Sequence, residues 1–190
     1  MDVILLNGPS SSGKSSIAKA LQDMLDVPYL LIGIDTFISL MPDKTNKLGD
    51  IPEPAEGFYW ETQHTSGESM YRVRKGRYGE QVNDAYRTTV KHLADSGLKV
   101  IVDEIADGNQ EVEIWRALLE KHRCFYVGIK CSEAVLDQRE WARGDRKVGS
   151  AREQMQRVHR GVNYDLVIDT TSASPQECAL MITEAMKTPV

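Results

Sequence analysis

Three observations predict an α/β domain built on a buried parallel sheet. Five short apolar runs recur: Val3-Ile4-Leu5-Leu6, Tyr29 to Ile34, Lys99 to Glu104, Phe125 to Ile129 and Leu166-Val167-Ile168. Segments with apolar residues at helical spacing alternate with them, the pattern of right-handed strand–helix–strand crossovers. The loop Gly8-Pro9-Ser10-Ser11-Ser12-Gly13-Lys14-Ser15 lies between the first run and the first helical pattern. It fits G-x-x-x-x-G-K-[ST], the phosphate-binding P-loop, in the strand–loop–helix setting its mechanics need. All 190 residues are read as one P-loop NTPase domain.

The first helix is expected from about Ser15 to Leu25, where Ile17, Leu21, Met24 and Leu25 recur at helical spacing. The second strand, Tyr29 to Ile34, ends at Asp35-Thr36, and a short helix carrying Phe37, Ile38, Leu40 and Met41 stops before Pro42. Residues 42–80 are rich in proline, glycine and polar groups. They read as an acceptor-side insertion over the site's mouth, irregular or holding a short hairpin. Its Phe58, Tyr59 and Trp60 either cover a substrate or anchor the loop. A helix then starts at Gln81 and ends before Gly97. Further helices are expected at Gln110 to Lys121, Ser132 to Arg143 and Ser150 to Val158. Ser174-Pro175-Gln176-Glu177 is a capping box with proline at the first helical position, and it opens the last helix.

The charge balance bounds the partners. A formal net charge of -5 argues against a nucleic-acid partner, since phosphate backbones favour basic faces. No apolar stretch approaches the length that spans a bilayer. Cys124, Cys131 and Cys178 have no metal-binding or disulfide spacing, so buried free thiols in the cytoplasm are the simplest reading.

Four groups carry chemistry. Gly8, Pro9, Ser10, Ser11, Ser12, Gly13, Lys14, Ser15 and Ser16 are read as ATP-binding, since the N–H groups of such a loop, Pro9 contributing none, face one point and can hold a polyphosphate. Lys14 is expected to face solvent and meet the β/γ-phosphates, while the Ser15 hydroxyl joins a Mg²⁺ shell. Asp35, at the carboxyl end of the second strand, is either a general base for a substrate hydroxyl or a helix N-cap. Asp103 is the first choice, and Glu104 the second, to order the metal at the end of the third strand. Arg139, Arg143 and Arg146 share a helix and the turn after it. They read as lid cations over residues 139–150, against the alternative of surface arginines paired with Asp137, Glu140 and Asp145.

Several stretches together resemble chloramphenicol phosphotransferases. They are Leu6-Asn7-Gly8, Ile34-Asp35 with Met41-Pro42, Arg139-Glu140-x-Ala142-Arg143-Gly144-Asp145-Arg146, Val158-His159-x-Gly161-Val162-x-Tyr164-Asp165, and Asp169-Thr170-Thr171. The resemblance covers 1–42 and about 82–185. It implies an adenylate-kinase-like three-layer fold with a helical lid, and phosphorylation of a small-molecule alcohol by ATP. It also implies that Asp35 is the base, that the three arginines serve the nucleotide, and that Thr170 lies near adenine. Chloramphenicol, and so antibiotic resistance, is the implied acceptor role. A metabolite kinase for a sugar acid, a shikimate-like alcohol or a nucleoside shares the layout. A nucleotide-driven switch or ATPase module is the reading from another class.

Overall fold

The computed structural model describes residues 1–49, 52–65, 68–144 and 147–187. The strands are β1 (Val3–Asn7), β2 (Tyr29–Gly33), β3 (Phe58–Thr65), β4 (Glu68–Lys75), β5 (Lys99–Glu104), β6 (Cys124–Lys130) and β7 (Leu166–Asp169). The helices are α1 (Lys14–Met24), α2 (Ile34–Ser39), α3 (Arg77–Asp95), α4 (Gly108–Leu118), α5 (Glu133–Arg143), α6 (Ser150–Met155) and α7 (Pro175–Lys187).

β1 is the most buried strand because it lies at the centre of the sheet. The order is β2-β5-β1-β6-β7, and every neighbouring pair is parallel. Its residues alternate between two cores, as a two-residue side-chain period requires. Ile4 and Leu6 pack with Ile17 and Leu21 of α1 and with Cys178 and Ile182 of α7. Val3 and Leu5 pack on the other side with Tyr86 and Val90 of α3 and with Val112 and Trp115 of α4. Tyr86 meets Trp115 edge-on at 5.4 Å, which fixes how α3 and α4 sit on the sheet. The result is the expected three-layer α/β sandwich, with all five predicted strands in one parallel sheet.

Element ends differ from the sequence reading for local reasons. β2 stops at Gly33, not Ile34, because α2 begins at Ile34 with Gly33 as its N-cap. α3 begins at Arg77 rather than Gln81, since the antiparallel β3–β4 hairpin runs almost directly into it. α4 ends earlier than Lys121, and α6 earlier than Val158; in each case turns follow. Ile114 of α4 and Met181 of α7 are exposed, although their spacing would put them on the apolar faces of those helices. The Ser174–Glu177 capping box forms as read: Glu177 N donates to Ser174 Oγ at 3.2 Å, and Ser174 N donates to Glu177 Oε2 at 2.8 Å. Among the described residues no helix is long and apolar enough to cross a membrane. All three cysteines are free thiols, with Cys131 and Cys178 buried.

Candidate active site

The P-loop leaves the carboxyl end of β1, and its shape follows from its glycines. A Cβ on Gly8 would stand 2.4 Å from Ile129 O of β6, so only glycine lets the loop lie against the neighbouring strand. Gly13, the N-cap of α1, sits at φ 94°, a left-handed conformation that favours glycine. Ser11 is also left-handed at φ 61°. Thr170, after β7, donates its hydroxyl to Ser12 O at 2.7 Å, and Arg139 of α5 donates to Thr170 O at 2.9 Å. Thr170 and Arg139 therefore brace the loop as well as lining the pocket beside it.

Lys14 does not face solvent as the motif suggested. It is 5% exposed; its Nζ donates to Pro9 O at 2.8 Å and lies 3.7 Å from Asp103 Oδ1. The side chain of the first helical residue lies back over the loop, where a carbonyl and a carboxylate satisfy its charge. Ser15 Oγ donates to Asp103 Oδ2 at 2.5 Å. Parallel pairing brings Asp103 there, since β5 is the neighbour of β1.

Glu104 faces the other core. Its carboxylate accepts from Trp115 Nε1 at 3.0 Å and from Ile105 N at 2.8 Å. Burial, and then the nearby Glu111, push its pKa up to about 7. Of the two acidic residues considered for the metal, Asp103 is the one beside Ser15. A hydroxyl and a carboxylate oxygen side by side at a P-loop are the hard ligands Mg²⁺ takes, along with phosphate oxygens.

Two cavities open at this sheet edge. One, of about 470 Å³, is lined by the P-loop together with Asp103, Arg139, Arg143 and Thr170. The other, of about 320 Å³, lies under the hairpin. It has an apolar wall of Ile34, Ile38, Leu48, Phe58, Trp60 and Val73, and a charged wall that includes Arg72, Lys75, Asp107, Glu111 and Arg157. Asp35 and Ser10 line both cavities. Asp35 is exposed and lies in the first turn of α2; Gly33 is the N-cap, so the capping alternative for Asp35 is not realised. Phe58 and Trp60 anchor the loop, the second of the two alternatives, and they also border a cavity. They are buried, Trp60 Nε1 donates to Leu48 O at 3.0 Å, and both line the second cavity.

The arginine run divides. Arg139 and Arg143 line the cavity beside the P-loop. Arg146 and Asp145, one of the carboxylates considered as its partner, lie outside the described residues. Glu140, considered as a surface partner of arginine, is instead fully buried. It accepts from Gly149 N at 2.6 Å, Ser150 Oγ at 2.6 Å and Ala151 N at 2.8 Å, which caps α6. Asp137 pairs with Arg152 at 2.7 Å rather than with that run.

The charged wall was not anticipated. Arg72 pairs with Asp107 and stands 3.7 Å from Glu153. Arg157 bridges Asp107 at 3.2 Å and Glu153 at 2.9 Å. Glu153 and Arg157, like Asp107 and Glu111, are four apart in the sequence, but the meeting of these pairs with Arg72 of the hairpin has no local signal. Asn7 ties two of the resembling stretches together: its Nδ2 donates to Tyr164 Oη (2.8 Å) and to Val158 O (3.0 Å), while its Oδ1 accepts from Ala106 N.

The sheet order, the P-loop and the paired cavities define a P-loop kinase fold, and solved structures agree. An APS kinase from Mycobacterium tuberculosis, solved with AMPPNP and APS, superposes with TM-score 0.63 at 15% identity, covering 98% of each chain. A sugar kinase from Janibacter gives 0.65 at 14% identity, over 98% of this chain and 95% of that one. Shikimate kinase from Acinetobacter baumannii, with shikimate bound, gives 0.56 at 14%, over 98% and 93%. The family described as "Chloramphenicol phosphotransferase-like protein" matches residues 1–187, and the chain belongs to that family. A Mycobacterium tuberculosis protein named "Putative O-phosphotransferase" is 29% identical over 184 residues, 96% of this chain and 81% of the relative. The protein is thus a phosphotransferase of the P-loop kinase class.

Proposed function

We propose that the protein transfers the γ-phosphate of ATP to the hydroxyl of a small, uncharged alcohol. The observation that carries this is the position of Asp35, on the shared boundary of the phosphate-side and hairpin-side cavities. A carboxylate there can orient an incoming hydroxyl and take its proton as the bond to phosphorus forms. A switch or ATPase module has no need of such a group facing a second pocket.

The rest of the site divides the work. The P-loop from Gly8 to Ser16 cradles the phosphates through N–H groups other than that of Ser10, which Gln154 Oε1 holds, with Pro9 contributing none, and Lys14 leaves Pro9 O to meet them. Arg139 and Arg143 balance negative charge, with Arg146 assigned the same role from the resemblance. Thr170 serves the nucleotide side. Ser15 and Asp103 would hold Mg²⁺, which supplies charge neutralisation at the transferring group. Cytoplasmic ATP and free thiols suit the same compartment.

An uncharged acceptor is favoured over a sugar acid because the cavity's cations already have partners. Arg72, Arg74, Lys75 and Arg157 are each within 4 Å of a carboxylate. An anionic acceptor would have to displace one of these, whereas an amphiphilic alcohol meets the apolar wall and the paired wall as they stand. Chloramphenicol, an uncharged aromatic alcohol, is the first compound to try. The test is ATP turnover with and without chloramphenicol, shikimate, gluconate and nucleosides. Acceptor-dependent phosphomonoester formation with the uncharged compound supports the reading. Hydrolysis that no acceptor accelerates favours the ATPase module.

A further inference from the structure

We propose that Gln154 is a positioning residue that sets the crown of the P-loop from the acceptor side. Gln154 lies on α6, is 4% exposed and lines the hairpin-side cavity. Its Oε1 accepts from Ser10 N at 2.6 Å. Ser10 N–H is a donor, so the oxygen end of the carboxamide must face the loop.

The place of this bond gives it consequence. Ser10 borders both cavities. The next residue, Ser11, holds φ 61°, and it is the one non-glycine residue with positive φ among the described residues. A serine in that conformation persists only where its surroundings over-determine it. Here they do so on both flanks: Gln154 holds the Ser10 N–H, and Thr170 holds the Ser12 carbonyl at 2.7 Å. One clamp comes from the acceptor side of the sheet edge and the other from the nucleotide side. Without the first, the Ser10–Ser11 peptide loses a fixed partner, and the loop amides lose their preorganised aim at the phosphates.

α6 is itself anchored. Glu140 caps its N-terminus, and Glu153, next to Gln154, joins Arg157 and approaches Arg72 of the hairpin. The same helix therefore touches the acceptor wall and grips the P-loop. The Thr170 clamp lies among residues that the family-like motifs mark, while Gln154 lies outside them all.

The test uses Gln154→Met, which keeps length and flexibility but cannot accept the hydrogen bond, and Gln154→Glu, which keeps an accepting oxygen. Calorimetry with Mg²⁺ and a non-hydrolysable ATP analogue measures affinity, and thermal denaturation measures folding. We expect Gln154→Met to fold and to bind the analogue about 10-fold more weakly, the scale of one lost buried hydrogen bond. With an acceptor, kcat should fall further while the acceptor KM stays within about twofold. Gln154→Glu should restore part of the kcat, though its charge disfavours the phosphates. Analogue affinity and kcat of folded Gln154→Met within about twofold of wild type would overturn the proposal, and a lowered Tm alone would leave Gln154 merely structural and overturn it too. The inference leans on the alcohol-kinase reading only for the kcat arm. If wild type phosphorylates no alcohol, that reading fails, and analogue binding still decides the role of Gln154.

Discussion

Replacing Glu140 by alanine should destabilise the protein by about 3 kcal/mol. Its carboxylate is fully buried and accepts from two backbone N–H groups, at 2.6 and 2.8 Å, and from the Ser150 hydroxyl at 2.6 Å. Each buried donor left without a partner costs roughly 1–3 kcal/mol, and the hydroxyl can rotate to a new one. The two backbone donors then set roughly 2–6 kcal/mol, and relief from burying a charge reduces it. For a chain of this size about 3 kcal/mol lowers Tm by roughly 6–12 °C. Glutamine should cost less than alanine, because its oxygen still accepts while its amide nitrogen meets one donor head-on. Denaturant unfolding of wild type and both variants measures this. A Glu140→Ala protein within about 0.5 kcal/mol of wild type would refute the idea that Glu140 holds α5 to α6.

Two further outcomes follow from buried charge. Lys14→Ala should abolish nucleotide turnover and also cost about 1–2 kcal/mol of stability, because it removes a charged donor from Pro9 O at 2.8 Å; unchanged stability would mean that the fold does not use this contact. Glu104 has its pKa pushed up to about 7 by burial and then by Glu111. Between about pH 4.5 and 7 the folded protein keeps a proton that the unfolded chain has released, so this group favours folding below that window and loses about 3 kcal/mol as pH rises through it. Urea unfolding at pH 5 and pH 8 should show that decline in wild type and a flatter profile in Glu104→Gln. Parallel profiles would contradict it.

What the sequence made legible follows from where each signal is local. Strands with continuous apolar runs, such as β1 and β6, announce themselves because both faces of the sheet are covered. The P-loop is legible because its residues are contiguous and Gly13 answers to a local need, a left-handed φ, although the need for Gly8 comes from Ile129 of β6. The orientation of Lys14 was not legible. Besides Pro9 O within the loop, it depends on Asp103, which is 89 residues away in the chain and is brought close by the parallel pairing of β1 with β5. Glu140 looked like a surface residue amid arginines, because its partners lie beyond a turn that the helical pattern cannot place. Gln154 carried no signal, since its meaning comes from Ser10 N, 144 residues distant. The hairpin was partly legible: proline and glycine marked an excursion, but the pairing of Phe58 with Lys75 and of Trp60 with Val73 depends on register.

The central claim is that Asp35 serves an alcohol acceptor at the junction of the two cavities. Asp35→Asn keeps the shape and a hydrogen-bond acceptor but removes the basicity. The direct measurement is transfer of labelled γ-phosphate from ATP to an alcohol, run beside the affinity of a non-hydrolysable ATP analogue. The account predicts unchanged analogue affinity and a loss of roughly 10²-fold or more in acceptor-dependent transfer, the scale of a missing general base. Transfer by Asp35→Asn near the wild-type rate would contradict it.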